Sequence, residues 1–290
     1  MNSKVIEIVT ERLIVKMEAG TIPWRQTWKM TGWMPRNFVS RRPYSGINWL
    51  LLFCSQQPSP FWATMRQIND LGGRVIKGEH STTITFWKML KNSEDEEIPF
   101  IQYYRVFNLA QTEGIDWKVD IEKVSEFTPN EAAEAIVRGY ESPPAIVTGY
   151  KPSYSFTLDR VQMPPAEAFE STGQYYATLF HELVHSTGHE SRLKREFGEF
   201  FGDDRYSKEE LVAEIGRCYL CALCGLDLPP LEEEAAAYLQ NWTKKIKGEP
   251  ALLIVAANKA AKAAERICHA ESPAAMLDGG AVSAGVILAS

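Results

Sequence analysis

Two histidines and a glutamate occur at a spacing typical of a catalytic metal site. His181, Glu182 and His185 form a complete H-E-x-x-H signature. Residues four apart on an α-helix lie one above the other, so both imidazoles can reach one Zn²⁺ ion. Glu182 lies one residue along the helix, turned partly away from the metal, where its carboxylate can take a proton from a water molecule. The pattern therefore predicts a hydrolytic zinc site with Glu182 as general base.

The residues around the signature favour a helix at this point. Leu179, Leu183 and Val184 supply its apolar positions, Ser171 or Thr172 can serve as the N-cap, and Gly188 offers a place for the helix to end. The alternative interpretation is that the histidines decorate the surface of an amphipathic helix. The flanking residues fit a zinc peptidase better.

A catalytic zinc site normally takes a third protein ligand and leaves one position to water. The extended signature with a third histidine ten residues after the first is not met, because Ser191 stands there. His189 is nearer but lies past the expected helix end. The third ligand is therefore expected on another element.

The segment from Ser207 to Gly216 has helical periodicity and resembles the second helix of gluzincin-type peptidases. In those enzymes the ligand glutamate is followed by Ala or Ser three residues on and an acid or amide four residues on, as Glu210, Ala213 and Glu214 are here. This resemblance makes Glu210 the metal ligand and Glu214 a partner that orients a histidine. In the alternative, Ser207 and Glu210 form a capping box, and Glu214 becomes the ligand.

Composition excludes several classes of protein. The chain has 290 residues, of which 45% are hydrophobic, so it can bury substantial cores, and its length suggests two domains. It has no apolar run of eighteen residues, and residues 1–20 are typical of an amphipathic helix rather than a signal peptide. Its odd number of cysteines, five, fits a reducing compartment. We expect a soluble cytoplasmic protein with no membrane partner.

Charge is distributed unevenly along the chain. Residues 1–91 contain 13 Lys+Arg and 5 Asp+Glu, a net charge of +8, whereas residues 92–290 contain 18 and 32, a net charge of −14; together they give −6. Six of the eight tryptophans also lie in the first 91 residues. This asymmetry predicts two domains with different partners, a basic aromatic-rich domain over residues 1–125 and a second domain over residues 126–290.

Cations and large rings alternate through the first half of the chain. Single-stranded nucleic acid is bound by such residues, because cations follow the phosphates while rings stack on bases of any identity. An aromatic core beneath a solvated basic face would have the same composition, and composition alone does not separate the two. The candidate residues for binding single-stranded DNA are Trp24, Arg25, Trp28, Arg36, Asn37, Arg41, Arg42, Tyr44, Asn48, Trp49 and Lys77.

Periodicity predicts the elements around these candidates. In the first half we expect helices at Lys4–Glu18 and Thr64–Leu71 and strands at Val75–Ile76, Thr82–Met89 and Phe100–Phe107. In the second half we expect a helix from Thr128 to Gly139, short strands at Ala145–Val147 and Tyr154–Val161, and helices at Glu232–Lys245 and Ala251–Ala264. The predicted fold class is α+β, a mixed α/β domain followed by a mainly helical domain with a small sheet.

Motifs across nearly the whole chain resemble those of ArdC-type antirestriction proteins, which occur on conjugative plasmids and related mobile elements. The matching motifs are Ile22-Pro23-Trp24, Pro35-Arg36-Asn37, Pro43 to Asn48, Gly72 to Glu79, Val106-Phe107-Asn108 with Gln111-Thr112, Tyr154, Asp159 to Pro164, Tyr175-Tyr176, His181 to His189, Ser191-Arg192-Leu193 and Glu209 to Glu214.

This resemblance implies a single-stranded-DNA-binding domain followed by a zincin-like metallopeptidase domain similar to the SprT/Spartan group. It also implies a role in protecting incoming DNA from host restriction. The metal is expected to be Zn²⁺, with Mn²⁺ as an alternative, and the peptidase substrate is an unknown protein, which could be DNA-bound. Candidate donors to the oxyanion are Tyr154, His189 and Tyr206. A second functional class stays open: a binding protein that shields DNA by occupancy, with a structural or vestigial metal site.

Overall fold

The computed structural model describes residues 3–19, 23–24, 34–55, 57–91, 97–117, 129–195, 204–226 and 242–268. The elements of its first half are α1 (Ser3–Glu18), β1 (Arg36–Asn37), α2 (Gly46–Cys54), β2 (Phe61–Thr64), α3 (Met65–Asp70), β3 (Arg74–Val75), β4 (Thr82–Lys91), β5 (Glu97–Asn108) and β6 (Thr112–Glu113). The elements of its second half are α4 (Pro129–Gly139), β7 (Ala145–Thr148), β8 (Ser153–Ser155), β9 (Arg160–Met163), α5 (Thr172–Ser186), α6 (Asp204–Cys224) and α7 (Ala251–Cys268).

The first half is built on a four-stranded sheet in the order β1-β2-β5-β4. β4 and β5 form a long antiparallel hairpin in which Thr82 pairs with Val106 and Lys91 with Glu97. The alternation of Thr82 and Ile84 with more exposed residues places one face of the hairpin on the core. Both strands were predicted from the sequence, and the structure confirms them with slightly longer bounds.

The structure adds one element to the sequence prediction and corrects another. Residues 46–54, for which no element was predicted, form α2, whose residues are nearly all buried. The single strand predicted over Tyr154–Val161 is two antiparallel strands, β8 and β9, joined by a turn. Asp159 in this turn has a φ of 44°, the left-handed region that breaks a strand and that aspartate tolerates better than most residues.

One hydrophobic core joins the two halves of the chain. Trp49 on α2 packs against Tyr219 on α6 with ring centroids 4.6 Å apart and the rings tilted by 55°. The ring centroids of Trp24 and Trp242 lie 6.0 Å apart. The backbone N–H of Ile47 donates a hydrogen bond to the side-chain oxygen of Asn258 on α7. The division at residue 125 stays a prediction, but α1 and α2 complete the core of the second half.

The second half places two helices across each other beside a small sheet of order β7-β9-β8. α5 begins after Ser171, whose hydroxyl accepts a hydrogen bond from Gln174 N–H, so the predicted N-cap is confirmed. Where α5 crosses α6, a Cβ at Gly216 would lie 2.8 Å from Cγ2 of Val184. This close approach allows side chains of α6 to reach the histidines of α5. The predicted helix at Glu232–Lys245 lies mostly outside the described residues.

The architecture is the predicted α+β fold, a mixed first half followed by a mainly helical second half. All five cysteines are reduced and buried, as their apolar surroundings predict. Within the described part of the chain, no helix is long and apolar enough to cross a membrane.

Candidate metal centre

The structure brings His181, His185 and Glu210 together. The two Nε2 atoms are 3.1 Å apart, because the histidines stand one turn apart on α5. Oε2 of Glu210 lies 3.5 Å from His181 Nε2, and Oε1 lies 3.3 Å from His185 Nε2. Two nitrogen donors and one carboxylate therefore converge from two helices.

The spacing of these donors fits one divalent ion. A tetrahedral ion with bonds of about 2.1 Å has ligand atoms about 3.4 Å apart, close to the three distances measured between the two rings and Glu210. Two imidazoles and a carboxylate are also the ligand types of hydrolytic zinc sites. Among the described residues, no other group of three or more histidine, cysteine or acidic side chains is close enough to hold a metal ion.

Glu210 and Glu214, the two alternative ligands on α6, have different positions. α6 begins at Asp204, so Ser207 lies inside the helix and does not act as its N-cap. The capping-box alternative, which would have made Glu214 the ligand, therefore does not hold. Glu214 instead lies 3.8 Å from His181 Nδ1, the ring nitrogen that faces away from Glu210, and is paired with Arg217. This is the position of a side chain that orients a ligand histidine.

Glu182 is buried on α5 beside the metal ligands, with 8% of its surface exposed. No ion pair involves it among the residues that the structure describes. A buried carboxylate without a salt bridge has its lone pairs available to accept a proton, as a general base must. The environment of Glu182 is consistent with the role that the sequence predicts.

A pair behind His185 was not predicted from the sequence. Glu209 Oε1 lies 3.5 Å from His185 Nδ1. The same carboxylate accepts from Arg195 through Nε at 3.0 Å and Nη2 at 2.6 Å. Arg195 stands in the loop after α5, fourteen residues before Glu209, and nothing in the sequence pattern connects the two. The one feature of the sequence that could have indicated Glu209 is its position directly before Glu210, the expected metal ligand.

The electrostatics of the metal-free site favour a charged His185. Burial lowers its pKa, but the nearby carboxylates of Glu209 and Glu210 outweigh burial and raise it to about 10. Burial raises the pKa of Glu210, yet the two histidines bring it well below the usual range for a carboxyl.

A second polar cluster lies at the end of α5. Arg192, with a side chain that is 2% exposed, forms an ion pair with Asp159 and donates to the carbonyl of Ser186 at 2.7 Å. Tyr154 O–H donates to Asp159 at 2.8 Å. The hydroxyl proton of Tyr154 is therefore engaged, which disfavours it as the oxyanion donor. His189 remains a candidate, and the side chain of Tyr206 lies outside the described residues.

The tryptophans predicted to stack on DNA bases are in the core. Trp24 and Trp49 are 0% and 1% exposed, so their rings do not reach a ligand in this conformation, and the stacking prediction is wrong for both. Trp49 lies in the run Ile47–Phe53, which forms a helix with nearly every residue buried, and the ring of Trp24 packs against Trp242. Arg25 and Trp28 lie outside the described residues.

Four further candidates have roles within the fold. Asn48 exchanges two hydrogen bonds with the backbone of Thr85, at 2.6 and 2.7 Å, and holds β4 against α2. Asn37 accepts from Val39 N–H and Ser40 N–H, which fixes the turn after β1. Arg36 is buried, and Tyr44 is half-buried. These positions serve structure first, and contact between them and DNA stays a prediction.

The remaining candidates are exposed. Arg41, Arg42 and Lys77 all reach solvent, and the guanidinium of Arg41 also lies 4.5 Å from the centroid of Phe38. Sequence reasoning missed three exposed rings on the β4–β5 hairpin, which are Phe86, Tyr103 and Tyr104 at 41–49% exposure.

Comparisons with known proteins define the class to which this fold and site belong. Residues 3–107 match the N-terminal domain of the anti-restriction factor ArdC, and residues 131–259 match a zincin-like metallopeptidase domain. The chain is therefore a two-part protein that couples an ArdC-type N-terminal region to a zincin-like domain.

Solved structures extend the match over almost the whole chain. The antirestriction ArdC protein of plasmid R388 shares 34% identity in its metal-free form, with a TM-score of 0.74 and coverage of 93% of this chain and 98% of that one. Its Mn(II)-bound form gives 35% identity and a TM-score of 0.75 over the same shares. This chain belongs to the ArdC antirestriction family.

Two curated relatives show where similar chains occur. The DNA primase TraC of Escherichia coli is 31% identical over 280 residues, which cover 88% of this chain but only 19% of TraC. The uncharacterized protein y4eC of Sinorhizobium fredii is 29% identical over 290 residues, covering 90% of both chains. The chain thus spans about one fifth of the length of TraC and most of the length of y4eC.

Proposed function

We propose that this chain protects the DNA of a mobile element from host restriction by binding single-stranded DNA and carrying a zinc-dependent peptidase site. Family membership supports the antirestriction role. The observation that carries the peptidase assignment is the convergence of His181, His185 and Glu210 beside the buried carboxylate of Glu182. A purely structural metal site has no use for a general base at that position.

In the proposed reaction Glu182 accepts a proton from the attacking water molecule and then donates it to the leaving amine of the cleaved peptide. His181, His185 and Glu210 would hold the ion. A zinc ion in this position, with Mn²⁺ as the alternative, would supply Lewis acidity and lower the pKa of water toward about 7.

The DNA-binding part rests on the net charge of +8 over residues 1–91 and on the exposed cations Arg41, Arg42 and Lys77. The DNA primase activity named for TraC is consistent with a module that works on nucleic acid. The protein substrate is proposed to be bound to or near the same DNA.

The peptidase is tested by replacing Glu182 with glutamine, which keeps the size of the side chain and removes its basicity. The purified Glu182→Gln protein should retain its metal and lose at least about 99% of any cleavage, since general-base catalysis contributes about 10²- to 10⁴-fold. Cleavage is measured as self-cleavage and casein hydrolysis with Zn²⁺ and single-stranded DNA present.

A matched control is Glu190→Gln, an exposed glutamate just beyond α5. If the Glu182→Gln protein cleaves as fast as the parent, the role given to Glu182 is wrong. If the metal-loaded parent cleaves nothing, the second functional class, protection of DNA by occupancy alone, is favoured.

A further inference from the structure

The two ligand histidines are each approached from behind by a carboxylate of α6. Glu214 faces Nδ1 of His181, and Glu209 faces Nδ1 of His185. Both Nε2 atoms point toward Glu210. Metal-binding histidines usually donate the proton of the second ring nitrogen to such an acceptor, which fixes both the tautomer and the orientation of the ring.

Glu209 is held much more rigidly than a surface carboxylate. Its side chain and that of Arg195 are each 5% exposed, and two guanidinium N–H groups reach its two oxygens. A bidentate arginine–carboxylate pair fixes the plane of the carboxylate as well as its position. The acceptor that faces His185 is therefore fixed before any metal binds.

Arg195 extends this fixation to the end of α5. Its Nη1 donates to Thr187 Oγ1 at 2.6 Å, and its Nη2 donates to the carbonyl of Val184 at 2.7 Å. The Val184 carbonyl also accepts from Thr187 N–H at 3.1 Å and from Thr187 Oγ1 at 2.6 Å, so Arg195 joins the hydrogen bonds that end α5. One guanidinium thus forms hydrogen bonds with two groups next to His185. The first is the carbonyl of Val184, the residue before His185 on α5, and the second is the carboxylate of Glu209 on α6, which faces the His185 ring.

We propose that Arg195 and Glu209 are positioning residues for the metal: Arg195 fixes Glu209, and Glu209 holds His185 with Nδ1 protonated and Nε2 free to bind the ion. The inference rests on the proposed metal site and does not require that the site be catalytic. Glu209 itself does not bind the ion, since its oxygen faces the ring nitrogen that points away from Glu210.

The first test measures metal affinity. The Glu209→Gln and Glu209→Asp proteins should bind Zn²⁺ and Mn²⁺ about tenfold or more weakly than the parent, the size of effect typical for partners of ligand histidines. Aspartate keeps the charge that Arg195 needs but withdraws the carboxylate from the ring. Affinities are measured by calorimetry or chelator competition, with circular dichroism of the metal-free proteins to verify their fold.

The matched control is Glu249→Gln, which makes the same chemical change at an exposed glutamate paired with Lys208, the neighbour of Glu209 on α6. This variant should bind metal as the parent does. Metal affinities of both Glu209 variants within twofold of the parent, with the fold intact, would overturn the proposal.

The second test needs no variant. In the zinc-loaded parent protein, nitrogen NMR of the histidine rings should show His185 bound through Nε2, with a slowly exchanging proton on Nδ1. Coordination through Nδ1, or a rapidly exchanging Nδ1 proton, would overturn the proposal even if the Glu209 variants do not fold. Neither test measures cleavage. Both therefore give a result even if the metal site hydrolyses nothing.

Discussion

At the scale of single residues, the candidate metal site consists of three donors and of the side chains that hold them. Helical spacing predicted His181 and His185, and the resemblance to gluzincin-type peptidases pointed to Glu210. Arg195 could not be found in this way, because its partner lies fourteen residues away and only the crossing of α5 and α6 brings them together. Supports of this kind depend on tertiary contacts that leave no local pattern.

The ion pair between Arg192 and Asp159 gives a prediction about pH. Although partial burial raises the pKa of Asp159, hydrogen bonds from Arg192 and Tyr154 lower it below the ordinary value. A depressed folded-state pKa stabilises the protein above the unfolded value, about 3.9, and this contribution is lost as pH falls through the folded value.

The Asp159→Asn protein should therefore lose about 1.5–3 kcal/mol of unfolding free energy at pH 7, the usual range for a hydrogen bond to a charged group. The difference from the parent should shrink as pH falls below about 4, the ordinary pKa of an aspartate. Urea unfolding at several pH values measures both. Asp70→Asn, at an exposed surface pair with Arg66, is the control and should change little; a difference for Asp159→Asn that does not depend on pH would contradict the account.

At the scale of elements, the sequence predicted most helices and strands but not what they bury. Cations interleaved with rings were compatible with either a DNA-binding surface or an aromatic core. The apolar run that begins at Ile47 forms the buried helix α2, so Trp49 belongs to the core. The turn between β8 and β9 was missed because residues 154–161 contain no glycine or proline. Asp159 makes the turn by adopting a positive φ.

The crossing of α5 and α6 depends on the absence of a side chain at Gly216. A Cβ there would lie 2.8 and 3.0 Å from the two methyl groups of Val184. The Gly216→Ala protein should be destabilised by about 1–3 kcal/mol through overpacking. It should also bind metal more weakly, because the added methyl group pushes α6 away from α5, and Glu210 then moves away from the two histidines.

Adding Val184→Ala to that variant should restore part of the stability and of the metal affinity, since it removes the methyl groups that clash. Thermal unfolding and metal titration measure the two effects. Gly248→Ala is the matched control, because a Cβ at that position meets nothing within 4 Å. If Gly216→Ala binds metal as tightly as the parent, the crossing distance does not limit the site.

At the scale of the whole molecule, the basic first half and the acidic second half share one core. α2 packs on α6 and α7 through Trp49 and Ile47. A DNA-binding surface on the first half would therefore be rigidly connected to the metal site rather than tethered by a linker. Net charge over residues 1–91 predicted the electrostatic difference, whereas the shared core was not visible in the sequence.

Binding of single-stranded DNA should depend on the exposed cations of the first half. Replacing Arg41, Arg42 and Lys77 together by alanine should weaken binding several-fold and reduce the salt dependence by about 0.7 in log–log slope for each phosphate that the variant no longer neutralises. Fluorescence anisotropy with an oligothymidine at several salt concentrations measures both quantities. Arg138→Ala, at an exposed arginine of α4, is the control; an unchanged salt slope in the triple variant would remove these residues from the DNA surface.

The central claim, that α5 and α6 together hold one catalytic divalent ion, is tested most directly by locating that ion. Crystals of the protein grown with Zn²⁺ or Mn²⁺ should give one anomalous peak per chain, within about 2.0–2.2 Å of Nε2 of His181, Nε2 of His185 and the carboxylate of Glu210. A peak bound by Glu214 in place of Glu210, or no peak between the three side chains at saturating metal, would contradict it.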